Sequence, residues 1–471
     1  MASPRVDTLV YPQTKDNVMS TTLVIVGGRI LDPAQGLDFT GDLLIVQGKI
    51  AEVSTGIPPR QGSRRLKANG LVVCPGFIDL HCHLRDPGFV DKETIASGTK
   101  AAAHGGFTTV CCMPNTEPPI DSQATVDYVK QKAHAEGIVH VLPIGCITKG
   151  RKGMELVEMA ELAQAGVVAF SDDGNPVPNS HLMRRALEDS CASGLPVIDH
   201  CEDTALTKGG VMNEGEIALR LGLPGMPAAA EETMVARDTA LARLTGARLH
   251  IAHVSTEGSV ELIRRAKERG LPVTAEVTPH HLTLTQEAVI SKQTRTGTAS
   301  ACDTNTKVNP PLRSRRDIEA LIRALREGVI DAVATDHAPH TAADKSCEYK
   351  AAAFGISGLE TALGSLMSLV HRGDLDLTTI ISRLTAGPAR VIETGLRHQP
   401  GSQGSLKTSL PGDVTIFDPG REWVVDPETF ASKGKNTPLA GCLLRGRVMA
   451  TVVGGQIVYR DNSIMLEENN E

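Results

Sequence analysis

Eight short apolar runs recur between residues 73 and 336, and most are followed by a longer amphipathic stretch. The runs are VCPGFIDL (73–80), FTTVCCM (107–113), IVHVLPIG (138–145), VVAFS (167–171), PVIDH (196–200), ARLHIAHV (247–254), PVTAEVT (272–278) and DAVATD (331–336). Runs of this length, rich in β-branched residues, read as buried strands. Between them lie helix-like segments such as SQATVDYVKQKAHAEG, GMELVEMAELAQAG, SHLMRRALEDSCASG, TMVARDTALARLTG, EGSVELIRRAKERG and SRRDIEALIRALREG. Several close on Gly, a helix C-terminus signal. Strands that alternate with helices pair in parallel, because each return needs a crossover. Eight such units in series predict an α/β fold, a (β/α)8 TIM-like barrel over residues 74–395. A doubly wound open sheet is the alternative. Against it, no G-x-G-x-x-G opens the first unit, and polar residues end nearly every strand instead of gathering at one switch point.

The flanks have another texture. TLVIVGGRILDPAQG and DLLIVQGKIAEVSTG near the start, and GDVTIFDP, RGRVMATVVGG and QIVYRDN near the end, are β-branched runs broken by turn residues. They predict one small β-sandwich domain built from both termini, residues 22–73 and 396–465. Residues 1–20 are polar and read as loose, and Met19 is an alternative start.

Composition narrows the class. With 48 basic and 55 acidic residues the net charge is −7, and no like-charge block occurs, so nothing points to nucleic acid. Aromatic residues make up 3% of the chain, which argues against base-stacking platforms. No apolar run approaches the roughly 20 residues of a spanning helix. The start MASPRVDTLVYPQTKDN lacks the basic-then-apolar order of a secretory signal. These features predict a soluble cytoplasmic protein without membrane contact. The 10 Cys form no C-x-x-C pair and read as buried and reduced.

The 15 His are more telling. His81-Cys82-His83 follows the first strand, and residues i and i+2 of a strand share a face. His200 ends the fifth strand, His253 the sixth, and Asp336 the eighth, with His337 and His340 close behind. Asp172-Asp173 follows the fourth strand. Barrel active sites lie at the C-terminal strand ends, so these residues should converge on one rim. Four imidazoles and two carboxylates suit zinc-like divalent ions, and are enough for two ions sharing a bridge. Spacing alone leaves Asp172 and Asp173 equal as the bridge, and Asp-Asp-Gly is also a plain turn signal. His250, three residues before His253, is expected to face a helix. His104, His134, His181, His371 and His398 read as solvated.

Taken together, PGFIDLHCHLRDPG, FTTVCCMPNTEPP, AFSDDG, DHCED, LHIAHVS, VTPHHL, VNPPLR and ATDHAPH closely resemble bacterial class I dihydroorotase, of the amidohydrolase superfamily. The resemblance spans about residues 22–460. It implies two zinc ions per chain. His81, His83 and Asp336 would bind one, His200 and His253 the other, and Asp173 would bridge them. Many relatives bridge with a carboxylated lysine, but no Lys occurs between Lys152 and Lys208. That departs from hydantoinases, the runner-up family. A non-catalytic scaffold for aspartate transcarbamoylase is a third reading, against which all six ligand positions are filled. The resemblance further implies a substrate-binding set of His83, Arg85, Asn115, Asn309, His340, Phe354 and Gly355, with Arg85 and Asn115 on the substrate carboxylate. For Arg85 the plain alternative is a salt bridge to Asp86 or Asp91, for Asn115 a turn cap, and for His340 a surface position. The implied reaction is the reversible cyclisation of N-carbamoyl-L-aspartate to dihydroorotate in pyrimidine biosynthesis. A hydroxide shared by the metals attacks the cyclic amide, and Asp336 is the catalytic proton carrier. A homo-oligomer and association with aspartate transcarbamoylase are both compatible with it. Residues 291–305 form a loop longer than the family pattern.

Overall fold

The computed structural model describes residues 22–290, 302–397 and 403–468. Met19, His398 and positions 291–301 of the long loop lie outside them. The fold is α/β. Five strands come first: β1 (Thr22–Asp32), β2 (Leu37–Val46), β3 (Lys49–Ser54), β4 (Arg64–Lys67) and β5 (Val72–Pro75). β1 pairs antiparallel with β2, and in parallel with β4 along one half and β5 along the other.

The inner strands follow: β6 (Phe77–Cys82), β7 (Phe107–Cys112), β8 (His140–Pro143), β9 (Val197–Asp199), a short accessory pair β10 (Met212–Asn213) and β11 (Gly225–Met226), then β12 (Leu249–Ile251), β13 (Val273–Val277) and β14 (Ala332–Val333). Parallel pairing runs from β6 through β7 to β8. The expected fourth strand, VVAFS, is reduced to two single bridges, Gly145 with Phe170 and Phe170 with Val197. Pairing resumes from β9 through β12 and β13 to β14. A last parallel bridge, Cys82 with His337, returns to the strand where the series began.

After the inner strands come β15 (Val414–Val424), β16 (Leu443–Val453), β17 (Gln456–Arg460) and β18 (Leu466–Glu468). They join β1–β5 in one connected nine-stranded sheet, forked at β1, with β18 on β4 and β15 on β5. Alternating apolar positions supply its core, including Ile25, Ile30, Leu43, Ile45, Val73, Ile416 and Val452.

Two local expectations change. The run 73–80 is two strands, because Val72–Pro75 pairs with the terminal sheet and Phe77–Cys82 with β7. Gly76 is the joint between them, and a Cβ there would meet Thr108 Oγ1 at 2.1 Å. The stretch 153–166 is helical only over Met159–Ala165, because Leu156 is held extended by a bridge to Thr148. Other helices stop where glycine predicted, Ser180–Ser193 at Gly194 and Arg315–Glu327 at Gly328. None of the described helices is long and apolar enough to cross a membrane. The ten cysteines, all among the described residues, form no disulfide, but Cys191 and Cys347 are exposed and Cys302 and Cys442 half-buried, contrary to expectation.

Phe77 joins the two parts. Its ring lies 5.8 Å from Phe107 of β7 and 6.3 Å from Phe417 of β15, and it is fully buried. Phe77→Ala is expected to cost about 3–5 kcal/mol, the range for deleting a buried aromatic ring. Thermal melting checks this, and an unchanged midpoint would contradict the packing role.

Candidate active site

The predicted rim residues do meet. His81 is the penultimate residue of β6, His83 follows the strand, and the two rings lie 5.4 Å apart. His200 follows β9, and His253 follows β12 by two residues. Asp173 is the centre. Its Oδ1 lies 3.3 Å from His81 Nε2, 3.6 Å from His253 Nε2 and 3.7 Å from His200 Nδ1, and its Oδ2 lies 3.6 Å from His83 Nε2. Asp336 Oδ1 lies 3.0 Å from His83 Nε2 and 3.7 Å from His81 Nε2. Two of the groups among the described residues that could hold a metal ion lie here, His81–His83–Asp336 and His81–Asp173–His253. His200 stands against the second, its Nδ1 2.9 Å from His253 Nε2.

The donor set tests well against a cation. His81 Nε2 and Asp173 Oδ1 are buried and make no hydrogen bond, although they face each other. Buried polar atoms without partners are rare and call for an explanation. Imidazole nitrogens and carboxylate oxygens converging on one point have one in a divalent ion. Electrostatics agree. Burial pushes the Asp173 carboxyl up, but His81 and its neighbours outweigh it and hold the group well below the usual carboxylate range. Asp336 is likewise lowered against burial by His83 and His81. His81 is raised well above the ordinary imidazole value, because Asp173, Glu276 and Asp336 outweigh burial.

Asp172 is not part of the cluster. It accepts hydrogen bonds from the Ile147 and Thr148 amides and from Thr148 Oγ1, and burial raises its pKa to about 6. It anchors the loop after β8, while Asp173 faces the histidines.

The backbone around the site is unusual. Arg85, Arg151, His253 and Asp336 have φ of 59°, 55°, 30° and 44°. The left-handed region is sparsely populated by non-glycine residues, and such conformations gather at functional sites. The turn at His253 also explains a missed expectation. Strand parity does not extend past Ile251, so His250 and His253 need not oppose each other. His250 is not against a helix. Its Nε2 donates to Glu276 Oε2 at 3.1 Å, and its Nδ1 accepts from Thr274 Oγ1.

Three carboxylates escaped the sequence reading. Glu276 in β13 accepts from His81 Nδ1 at 2.8 Å as well as from His250, is fully buried, and has its pKa held at about 2 by those two rings against the push of burial. Asp79 accepts from the Thr335 amide and hydroxyl and so fixes the segment that carries Asp336. Glu202 accepts from His200 Nε2 at 2.9 Å. For Asp79 and Glu276 the available signal was a lone acid inside an apolar strand run, whereas Glu202 stands among the other acids of DHCED. His337 is a strut, donating to Glu93 at 3.3 Å and accepting from the Gly358 amide. Of the histidines read as solvated, His104 pairs with Glu360 at 3.2 Å.

The expected substrate side lies beside the cluster. Asn115 Oδ1 accepts from His83 Nδ1 at 2.8 Å. Arg85 is half-buried, its Nε donates to the Pro339 carbonyl, and its Nη2 lies 3.4 Å from His340 Nε2. Its expected competitor Asp86 is engaged elsewhere, by the Tyr128 hydroxyl and Lys132. His340 is buried, not superficial. Its Nε2–H donates to the Phe354 carbonyl at 2.8 Å, and its Nδ1 accepts from Lys92 at 3.4 Å. Burial, with Arg85 and Lys92 nearby, lowers its pKa to about 3, so the ring is neutral. Asn309 Nδ2 donates to Glu202 at 2.8 Å. Gly355 has φ 140°, and a Cβ there would meet Ala338 at 2.6 Å, so only glycine fits beside Phe354.

Comparison with known proteins places this geometry. A dihydro-orotase-like family profile matches residues 70–259. The chain is 50% identical over 438 residues to a dihydroorotase of Citrifermentans bemidjiense, covering 93% of this chain and 99% of the relative. It is 51% identical over 443 residues to a dihydroorotase of Pelotomaculum thermopropionicum, covering 94% and 99%. Among solved structures, an L-hydantoinase (dihydropyrimidinase) from Arthrobacter aurescens aligns with TM-score 0.82 and 26% identity over 95% of this chain and 98% of that one. A dihydropyrimidinase from Brevibacillus agri aligns with TM-score 0.79 and 21% identity, over 95% and 97%.

Proposed function

Because this chain belongs to the dihydroorotase family and is a cyclic amide hydrolase, we propose that the cluster around Asp173 is where it closes N-carbamoyl-L-aspartate to dihydroorotate and reopens the ring. The observation that carries the reading is the meeting of four imidazoles on the buried Asp173 carboxylate, three of them on Oδ1, which has no hydrogen bond, with Asp336 against His83 and His81. In this reading the inner strands form a (β/α)8 barrel. Its domain spans 74–395, and the β-sandwich domain combines 22–73 with 396–465. The pairing of Val72–Pro75 with β15 supports moving that boundary past Pro75, to the joint at Gly76.

His81, His83 and Asp336 would hold one zinc ion and His200 and His253 a second, with Asp173 available to both. Bound zinc would supply Lewis acidity and a water ionised near neutral pH. The remaining work falls to side chains. Asp336 takes a proton from the attacking water and delivers it to the ring nitrogen, then reverses the transfer on closure. His83 and Asn115 orient each other at the substrate edge. Arg85 holds the substrate carboxylate with its planar fork, beside His340 and Asn115. Asn309, Phe354 and Gly355 complete the contacts. The absence of a lysine from 153–207 favours this reading over a hydantoinase. The setting is the cytoplasm. The family likeness also brings in a homo-oligomer and docking to aspartate transcarbamoylase, both checked by size-exclusion chromatography with and without the transcarbamoylase.

Arg85→Lys is expected to raise KM for carbamoyl aspartate about 10- to 100-fold, the equivalent of one charge-assisted contact. A point charge cannot replace the fork. An unchanged KM in steady-state kinetics would take Arg85 off the substrate. The function itself is tested by ring opening of dihydroorotate with hydantoin as the competing substrate.

A further inference from the structure

Glu202 follows His200 by two residues, in DHCED (199–203), and the chemistry above gives it no task. Its Oε2 accepts two hydrogen bonds, from His200 Nε2 at 2.9 Å and from Asn309 Nδ2 at 2.8 Å. Thr207 Oγ1 donates to its other oxygen. The two donors to Oε2 are more than a hundred residues apart in sequence. The other nitrogen of His200, Nδ1, lies 3.7 Å from Asp173 Oδ1.

A carboxylate on one imidazole N–H fixes the tautomer, leaving the opposite nitrogen's lone pair for a cation and raising its basicity. An oxygen shared by two donors also fixes the distance between them, which is 3.4 Å here from Asn309 Nδ2 to His200 Nε2. We propose that Glu202 is a positioning residue that ties the substrate contact Asn309 to the ligand His200, so that the two are set in place by one carboxylate oxygen. The inference rests on the reading of His200 as a ligand of the second zinc and of Asn309 as a substrate contact. Glu202 touches neither the reacting atoms nor the metal position. It acts through its two neighbours.

The consequence is a coupling. Loss of the Asn309 side chain frees Glu202 and so loosens His200. In Glu202→Gln a carbonyl oxygen stands in for Oε2 but carries no charge, so both hydrogen bonds weaken and His200 loses the carboxylate that raises its basicity, while the NH2 group turns toward Thr207. The test strips purified wild type, Glu202→Gln, Asn309→Ala and the double variant of metal, and titrates each with zinc against a chromophoric chelator. KM and kcat for dihydroorotate are measured on the reloaded proteins. The expected result is a first zinc bound as in wild type and a second weakened about 10- to 100-fold in Glu202→Gln, the usual cost of losing a partner behind a ligand. KM should rise with it. Asn309→Ala should weaken the second zinc in the wild-type background and do so clearly less in the Glu202→Gln background. Wild-type affinity for the second zinc in Glu202→Gln, or an equal effect of Asn309→Ala in both backgrounds, overturns the inference alone. A wild-type protein that binds no second zinc overturns the ligand reading and the inference with it. Thr207→Val removes only the third donor, and carries the same test with smaller shifts should Glu202→Gln not fold.

Discussion

Asp336→Asn is expected to lower the rate of dihydroorotate ring opening by about 10²–10⁴-fold or more, the range for removing a general acid–base group, and to leave the fold intact. Asparagine keeps the shape but cannot carry the proton between water and ring nitrogen. It also loses the charge that faces His83 at 3.0 Å and His81 at 3.7 Å. Folding should survive for two reasons. The segment is fixed without the Asp336 side chain, because Asp79 holds Thr335 through its amide and hydroxyl and Thr335 Oγ1 accepts from the His337 amide. Asparagine also tolerates the left-handed backbone at this position as well as aspartate does. Circular dichroism and melting check the fold, and steady-state kinetics check the rate. Wild-type turnover in a folded Asp336→Asn protein would remove Asp336 as the proton carrier.

Glu276→Ala is expected to be the most destabilising single change at the site. The carboxylate is fully buried and is the shared acceptor of His81 Nδ1 and His250 Nε2. Removing it strands two buried donors, and breaking such a pair costs about 3–5 kcal/mol. Zinc affinity should fall as well, by about 10- to 100-fold, because His81 loses the group that orients it. The pH dependence has a definite sign. The folded-state pKa of Glu276 is depressed from 4.5 to about 2, so its contribution is complete above about pH 4.5 and is lost as pH falls toward 2. The wild-type and Glu276→Ala stabilities of the metal-free protein should therefore converge in acid. Denaturant midpoints measured across that range check this. Equal midpoints at pH 7 would mean that Glu276 supports neither ring.

The parts of the molecule legible in the sequence are those written as local periodicity or as motif. The inner strands were visible as short apolar runs, and His81, His83, His200, His253 and Asp336 were visible because each sits at the end of one. Less was legible where the answer lay in tertiary contacts. Nothing local distinguishes Asp172 from Asp173; the Ile147 and Thr148 donors that take Asp172 away come from another loop. His250 was misjudged because strand parity ends at Ile251, before the positive φ of His253 turns the chain. The run 73–80 looked continuous because its apolar pattern crosses Gly76 without a break, and only pairing divides it. Glu276 could have been found. A lone acid inside PVTAEVT has to be paired if it is buried, although its two partners are remote in sequence.

Metal content of the purified protein, measured together with dihydroorotate ring opening followed in the ultraviolet, decides whether the Asp173 cluster is a two-zinc centre for that reaction. About two zinc ions per chain are expected in turnover-competent protein, in line with a donor set of this size, with activity lost on chelation and restored by zinc. Turnover of hydantoins without turnover of dihydroorotate, or full dihydroorotate turnover in metal-free protein, would contradict it.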